Sequence, residues 1–309
     1  MARKLINTKD ISHEEWLKIR KGSIGGSDAA VLMDMNPYRS AISLYADKKG
    51  LLKDKETTEA MRLGNDLEDY VTKRWQEKTG KKVRADNFMY QHDKYDFITA
   101  NVDRDVVGEN AGLECKTMST FAGYDLENGE VPAQYYVQCQ HYMAVKGYER
   151  MYLAVLVFQR GIYCLTLKRN EDFIEKLIDE EVKFWKENIE KDIMPPPDGS
   201  DDSMNTIEIL YPQGSDETYL PNADSDIKRF IELGDVIKGF EDERKKLKAK
   251  LCARLEDFAV GTDSEYACSW KNQSRTSVDS KKLKKEYPEI YEECTKTSEF
   301  RVFRTKKIV

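Results

Sequence analysis

Asp103, Glu114 and Lys116 lie in the stretch NVDRDVVGENAGLECK (101–116), where apolar and polar residues alternate on both sides of a Gly-Glu-Asn-Ala-Gly turn. That pattern predicts a β-hairpin with Asp103 in its first strand and Glu114 and Lys116 on one face of its second. A residue of the first strand can then stand opposite them, gathering two carboxylates and one ammonium. Carboxylates that close repel each other unless a cation lies between them. Hard oxygen ligands without His or Cys suit Mg²⁺, or Mn²⁺ in its place, better than zinc. The lysine has a use there too, because a cation beside a metal-bound water can hold that water against a phosphate.

The spacing looks like the (P)D…(D/E)xK signature of a large nuclease superfamily, with Val102 where a proline often stands. An Asp followed by Glu-x-Lys also arises by chance in a charged sequence, and a salt-bridged surface hairpin reads the same way. The surrounding elements must therefore decide. Residues 13–21 read as a helix carrying Trp16 and Arg20, followed by GSIGGSDAAVLM, in which Ser27 and Asp28 are placed to cap a helix over 29–33. Such a glycine-fronted helix start can receive a phosphate, and Arg20 can reach the same anion; a tight turn with an ordinary cap is the plainer reading.

Residues 59–79, EAMRLGNDLEDYVTKRWQEKT, predict a helix ending at Gly80. Gly64, Glu68, Val71 and Trp75 share a stripe, so Glu68 points along the edge of the apolar face and needs a partner: a metal, or a salt bridge to Arg62 or Arg74. Strands follow around FMYQ and the Asp103 segment. After Lys116 a Ser, Thr and Gly loop leads to a helix begun by Pro132 and stopped by Gly147. In it Gln138 and Tyr142 share a face, with Gln140 about half a turn away. These neutral groups can hydrogen-bond a phosphate or a metal-bound water; alternatively Tyr135, Cys139 and Met143 form the core face and the glutamines are merely polar. Residues 150–158 and 161–168 predict a buried hairpin, and 171–193 a long amphipathic helix.

Composition bounds the function. The 309 residues are 34% charged, no apolar run approaches the roughly 20 residues that span a bilayer, and MARKLINTKD lacks the apolar core of a signal peptide. A cytoplasmic, membrane-free protein is expected. Six scattered cysteines without a CxxC, and only three histidines, argue against structural zinc, iron–sulfur clusters, disulfides or a His-based triad. The net charge of −6 is segregated: residues 192–226 hold nine Asp or Glu and no Lys or Arg, while 227–309 hold twenty Lys or Arg against fifteen acids. The acidic excess thus sits mostly in a Pro/Gly/Asp stretch, which weakens it as evidence against a DNA partner.

Taken in order, IGGSDAAVLMDMNPY, RLGNDLEDYV, NVDRDVV…GLECKT and QYYVQCQHYMAV resemble the phage recombination exonucleases of the lambda-exonuclease or YqaJ type, over roughly residues 10–195. The resemblance implies an α/β fold with a restriction-endonuclease-like core, a mixed β-sheet flanked by helices. It implies that Glu68, Asp103, Glu114 and the main-chain carbonyl of Cys115 bind Mg²⁺, two ions per site, and that Lys116 assists the attacking water. Arg20 and Ser27 match positions that hold the phosphate, Gln138 and Tyr142 match a QxxxY helix, and Gln140 is the rival counterpart of the lambda-type glutamine. The implied activity is 5′→3′ degradation of linear double-stranded DNA with a free end, leaving 3′ overhangs for a single-strand annealing recombinase, by a homo-oligomer that can form a ring. A structure- or sequence-specific endonuclease on the same core, or a non-catalytic DNA-binding or annealing module, are the alternatives.

The expected domains are a nuclease over 1–195, an acidic linker over 196–226 and an α-rich accessory region over 227–309. In the last, apolar residues at near-heptad spacing from Ile227 to Phe258 predict a helical hairpin or coiled coil. Strands are expected at 266–271 and 300–305 around the helix KKLKKEYPEIYEE. Fifteen acids among twenty bases make a poor phosphate track, so docking or assembly is the favoured role of this region.

Overall fold

Local chemistry sets the helix ends in this computed structural model, which describes residues 3–54, 57–120, 125–214 and 217–308. Ser12 caps α1 (His13–Lys21) through a reciprocal bond with Glu15, and Thr58 caps α4 (Glu59–Thr79), which stops at Gly80 with φ +71°. The helix α2 spans Gly26–Leu32, so Ser27 and Asp28 lie inside it and do not precede it. It begins early because Asp28 reaches back to accept from the N–H of Gly25 at 3.1 Å. After α3 (Ala41–Lys48), the helix α5 runs from Ala133 to Lys146 and ends at Gly147, again left-handed at φ +71°.

Two sheets divide the first part of the chain. Strands β1 (Arg3–Asn7), β3 (Phe88–Gln91) and β4 (Thr99–Asn101) form an antiparallel three-stranded sheet. Strands β2 (Val83–Ala85), β5 (Arg104–Val106), β6 (Ala111–Met118), β7 (Arg150–Val157) and β8 (Gly161–Lys168) form a mixed sheet in the order β2-β5-β6-β7-β8. Only β6 and β7 run parallel, joined through α5, as a crossover requires. The chain passes from one sheet to the other between β4 and β5, and Asp103 lies in that bend and not within a strand as its alternation predicts. Residues 121–124, part of the loop expected after Lys116, lie outside the described residues.

The core lies on both faces of β6 and β7. Leu153, Val155, Cys139, Met143 and Ile98 are buried on the α5 side, and Leu113, Ala154, Trp75 and Val71 on the α4 side. Gly112 is required here: a Cβ would stand 2.6 Å from Met151 Sδ and 2.8 Å from Tyr148. The helix α6 (Glu171–Phe184) covers α5 and continues through a wide turn, Trp185–Glu190.

The chain divides into two compact units, Met1–Tyr211 and Pro212–Val309. The first extends beyond the expected boundary because α7 (Asp201–Leu210) packs on α3, with Asp202 accepting from the N–H and hydroxyl of Ser40, each at 2.8 Å. The expected linker over 196–226 therefore contains a docked helix. In the second unit a helix α8 (Asp224–Leu255) precedes a hairpin of β9 (Val260–Thr262) and β10 (Ala267–Ser269), then α9 (Ser280–Glu286) and α10 (Pro288–Glu293). The last two are separate because Pro288 has no N–H to continue α9. Residues 300–305 join no ladder and form no strand.

One buried pair ties three of these elements. His141 of α5 faces Glu181 of α6 through Nδ1 at 2.7 Å and the Thr99 carbonyl of β4 through Nε2 at 2.8 Å. With Glu181 ionised both partners accept, so both ring nitrogens carry protons and the ring is an imidazolium. Burial lowers its pKa, but the Glu181 charge and these bonds outweigh burial and raise it. A raised pKa means stabilisation that is complete below the ordinary histidine range and fades as pH rises through the folded value. We expect His141→Ala to cost about 3–5 kcal/mol at pH 6. Denaturant titrations across pH should show this cost shrinking toward alkaline pH.

Candidate active site

An open edge of β6 creates the site. Its ladder with β5 covers only Leu113 and Gly112, opposite Arg104 and Asp105. Beyond that point β5 has ended in the bend at Asp103, and the Asp103 carboxylate replaces the missing strand by accepting from the N–H of Cys115 at 2.8 Å. Side chains of β6 alternate, so Cys115 turns to the α4 face, its Sγ 3.4 Å from the Thr72 hydroxyl, while Glu114 and Lys116 share the opposite face. A cleft of about 700 Å³ opens over this edge, lined by Glu68, Asp103, Glu114, Cys115 and Lys116 at one end and by Arg20, Lys21, Arg39 and Lys48 at the other.

The carboxylates are held under strain of charge. Burial, reinforced by the Glu114 charge, pushes the Asp103 carboxyl up to about 7. Burial raises Glu114 as well, against the opposing pull of Lys116. Glu114 is 3% exposed; its Oε1 accepts from Lys116 Nζ at 2.6 Å and from Gln138 Nε2 at 2.8 Å, and its Oε2 is buried without a partner. Burial alone would lower the Lys116 pKa, but Glu114 and Asp103 outweigh it and hold the ammonium above its ordinary value. Lys116 is thus a fixed cation, able to donate but not to serve as a base.

The helix α5 supplies neutral donors. Gln138 and Tyr142 are both buried, and the amide of Gln138 donates to the Tyr142 hydroxyl at 2.8 Å as well as to Glu114. Gln140 does not reach the site. Its amide donates to the Lys168 carbonyl at 2.9 Å and its oxygen accepts from Asn170 N at 3.1 Å, which pins the end of β8 to the start of α6. The half-turn between the two glutamines sends them to opposite sides of α5. Gly26 lets α2 abut this helix, since a Cβ there would meet Tyr142 at 2.6 Å and Gln138 at 3.0 Å.

That close approach sets Ser27 beside the cleft, where its hydroxyl accepts from Arg20 Nη2 at 2.8 Å. Beneath them Asp28, 1% exposed, accepts from Arg39 at 3.0 Å and from the buried Lys48 at 2.7 Å, with Arg20 3.9 Å away. Burial alone would raise the Asp28 pKa, but the three cations hold its carboxyl well below the usual range. Arg39 also holds Asp47 at 2.6 Å, so two carboxylates stand among three cations and this end of the cleft keeps a net positive charge. Arg39 and Lys48 carry no periodicity that marks them in the sequence; their convergence on Asp28 is tertiary.

Glu68 is committed elsewhere. It is bound by Arg104 Nη1 at 2.6 Å, while Arg104 Nη2 holds Asp69 at 2.7 Å; Arg62 and Arg74, the expected alternatives, pair with Glu59 and Glu77. Among the described residues no three His, Cys, Asp or Glu side chains converge closely enough to hold an ion. The donor chemistry nevertheless fits a hard divalent cation. Asp103 and Glu114 are mutually repelling carboxylates beside an orphaned buried oxygen, and such a set is relieved by a cation taken up from the cleft. Glu68 can join only by exchanging Arg104 for the ion.

Residues 15–149 match the model of the YqaJ-like viral recombinase domain. The Bacillus subtilis (strain 168) protein YqaJ, itself described as uncharacterized, is 32% identical over 313 residues, covering 99% of this chain and 98% of that protein. Among solved structures, the alkaline exonuclease LHK-Exo of Laribacter hongkongensis aligns with a TM-score of 0.50 at 21% identity, over 58% of this chain and 93% of its own. A phage-related exonuclease from Haemophilus somnus 129PT aligns at 0.43 with 14% identity, over 55% of this chain and 96% of its own. The mixed five-stranded sheet with its flanking helices is thus an exonuclease fold, and by its full-length relationship to YqaJ the chain belongs to the YqaJ-like viral recombinase family.

Proposed function

We propose that the chain is a divalent-metal-dependent deoxyribonuclease that degrades linear double-stranded DNA in the 5′→3′ direction and leaves 3′ overhangs for phage-type recombination. The carrying observation is the open edge of β6, where Asp103 and Glu114, one oxygen of the latter buried without a partner, line a cleft beside the fixed ammonium of Lys116. Family membership and the exonuclease fold support the same reading, and LHK-Exo has been crystallised with dAMP, a mononucleotide of the kind an exonuclease releases. The nuclease domain is the unit up to Tyr211, acting in the cytoplasm of a bacterial host with a single-strand annealing protein as partner.

Asp103, Glu114 and the Cys115 carbonyl would hold Mg²⁺ or Mn²⁺, two ions when Glu68 is released from Arg104. The metal supplies a water of lowered pKa and offsets charge on the phosphoryl oxygens. Lys116 orients the attacking water and stabilises its negative charge. Gln138, bridging Glu114 and Tyr142, fixes the carboxylate without adding charge. Arg20 and Ser27 take the phosphate beside the scissile bond, and the Asp28 cluster keeps Arg20 in place.

Linear duplex labelled at its 5′ or 3′ end, set beside a covalently closed circle, tests this directly. Release of 5′ label first, with the circle intact, is expected; nicking of the circle would mean an endonuclease. Lys116→Ala should lower the cleavage rate about 10²-fold or more with duplex binding nearly unchanged. Equal losses of binding and cleavage would make Lys116 a phosphate clamp instead. Because Asp103 titrates up at about 7, protons compete with the metal below that pH. The Mg²⁺ concentration for half-maximal cleavage should therefore climb as pH falls from 8 to 6, and a flat titration would remove Asp103 from the metal site.

A further inference from the structure

The helix α8, 32 residues long, carries an apolar stripe that its own unit leaves open. Phe230, Leu233, Ile237, Phe240, Leu247 and Leu251 fall at the spacing of one heptad seam, and each is between 42% and 67% exposed. Phe303 meets the edge of Phe230 at 5.3 Å, yet both rings remain exposed. Lower down, a groove of about 620 Å³ lies between Leu247 and Leu251 on one side and Trp270, after β10, on the other. A continuous exposed patch of this kind marks a protein surface awaiting a partner.

The charges say which partner. Residues 224–243 carry seven acids and three bases, whereas 244–255 carry six bases and no acid. Two such helices side by side in the same direction set acid against acid and base against base. That arrangement also puts Arg244, the one charged residue within the seam, against its own copy. Reversal removes both conflicts. In one antiparallel register, in which residues 236–255 of the two helices overlap, Phe240 lies opposite Leu251, Arg244 opposite Leu247 and Ile237 opposite the aliphatic stem of Arg254, with Glu241 beside Lys248 and Glu243 beside Lys250, so the C-terminal part of the seam and both flanking charge rows agree. The groove beside Trp270 then receives Phe240 of the second copy.

We propose that α8 pairs antiparallel with α8 of a second copy of this chain, making the C-terminal unit a twofold assembly device. A twofold axis satisfies every pair twice, which suits a helix whose two halves carry opposite charge. The dimer contact is separate from the catalytic residues, so its existence does not depend on the nuclease reading.

Sedimentation velocity on the full chain tests it with two charge-reversed variants, Glu241→Lys/Glu243→Lys and Lys248→Glu/Lys250→Glu. Each places like charges on both sides of the seam and should lower the particle mass about twofold relative to wild type. An equimolar mixture should regain the wild-type mass, which also shows that both variants fold. Mild oxidation of mixed Arg244→Cys and Leu247→Cys chains should join position 244 of one chain to 247 of the other. A wild-type mass that neither variant changes would overturn the proposal and leave the stripe to the rest of this chain or to a different protein. Disulfides between identical positions would replace the antiparallel pair with a parallel one.

Discussion

The crossing of the chain from one sheet to the other at Val102 and Asp103 is the constraint on which the site depends. Val102 is buried at 2% exposure and anchors the bend, so Asp103 cannot continue the ladder that Arg104 and Asp105 make with β6. Its carboxylate instead takes the Cys115 N–H that a longer β5 would have bonded. A backbone donor left bare at that depth would cost about as much as a lost hydrogen bond, so the bend and the carboxylate are coupled. The same bend exposes the edge of β6 and turns Glu114 and Lys116 toward the cleft.

The charges around that edge are arranged against stability, as functional sites commonly are. Asp103 and Glu114 are both driven toward protonation by burial and by neighbouring carboxylates, and one oxygen of Glu114 has no partner at all. Lys116 and Gln138 offset this only in part, each bonding the single oxygen Oε1. At the far end of the cleft the balance is reversed, with Asp28 saturated by Lys48 and Arg39 and approached by Arg20. A cleft lined by carboxylates at Asp103 and Glu114 and by an excess of cations around Asp28 suits a ligand that is itself an anion bridged to a cation.

The C-terminal unit obeys a different logic. Its apolar residues follow a seam and not a core, and Leu255 is the residue of α8 that the unit itself buries. A helix of this length and charge gains its stability from what covers the seam. Its polarity, acid toward the start and base toward the end, is a property of sequence that acquires meaning only when a second helix is considered.

Much of this was legible from residues alone. Stops at Gly80 and Gly147, and alternation through 111–118, mark the helix ends and the strand carrying Glu114 and Lys116, because these signals act within a few residues. The order of motifs likewise carries the family. Sequence could not decide between Gln138 and Gln140, since both are polar on a half-buried helix and only the packing of β8 and α6 shows which one is occupied. Nor could it foresee that Asp103 sits in a bend, that Arg104 claims Glu68, or that α7 docks on α3 within the expected linker. Those outcomes depend on which elements meet across long separations in the chain, and periodicity, being local, records only the face a residue shows and not the partner that waits there.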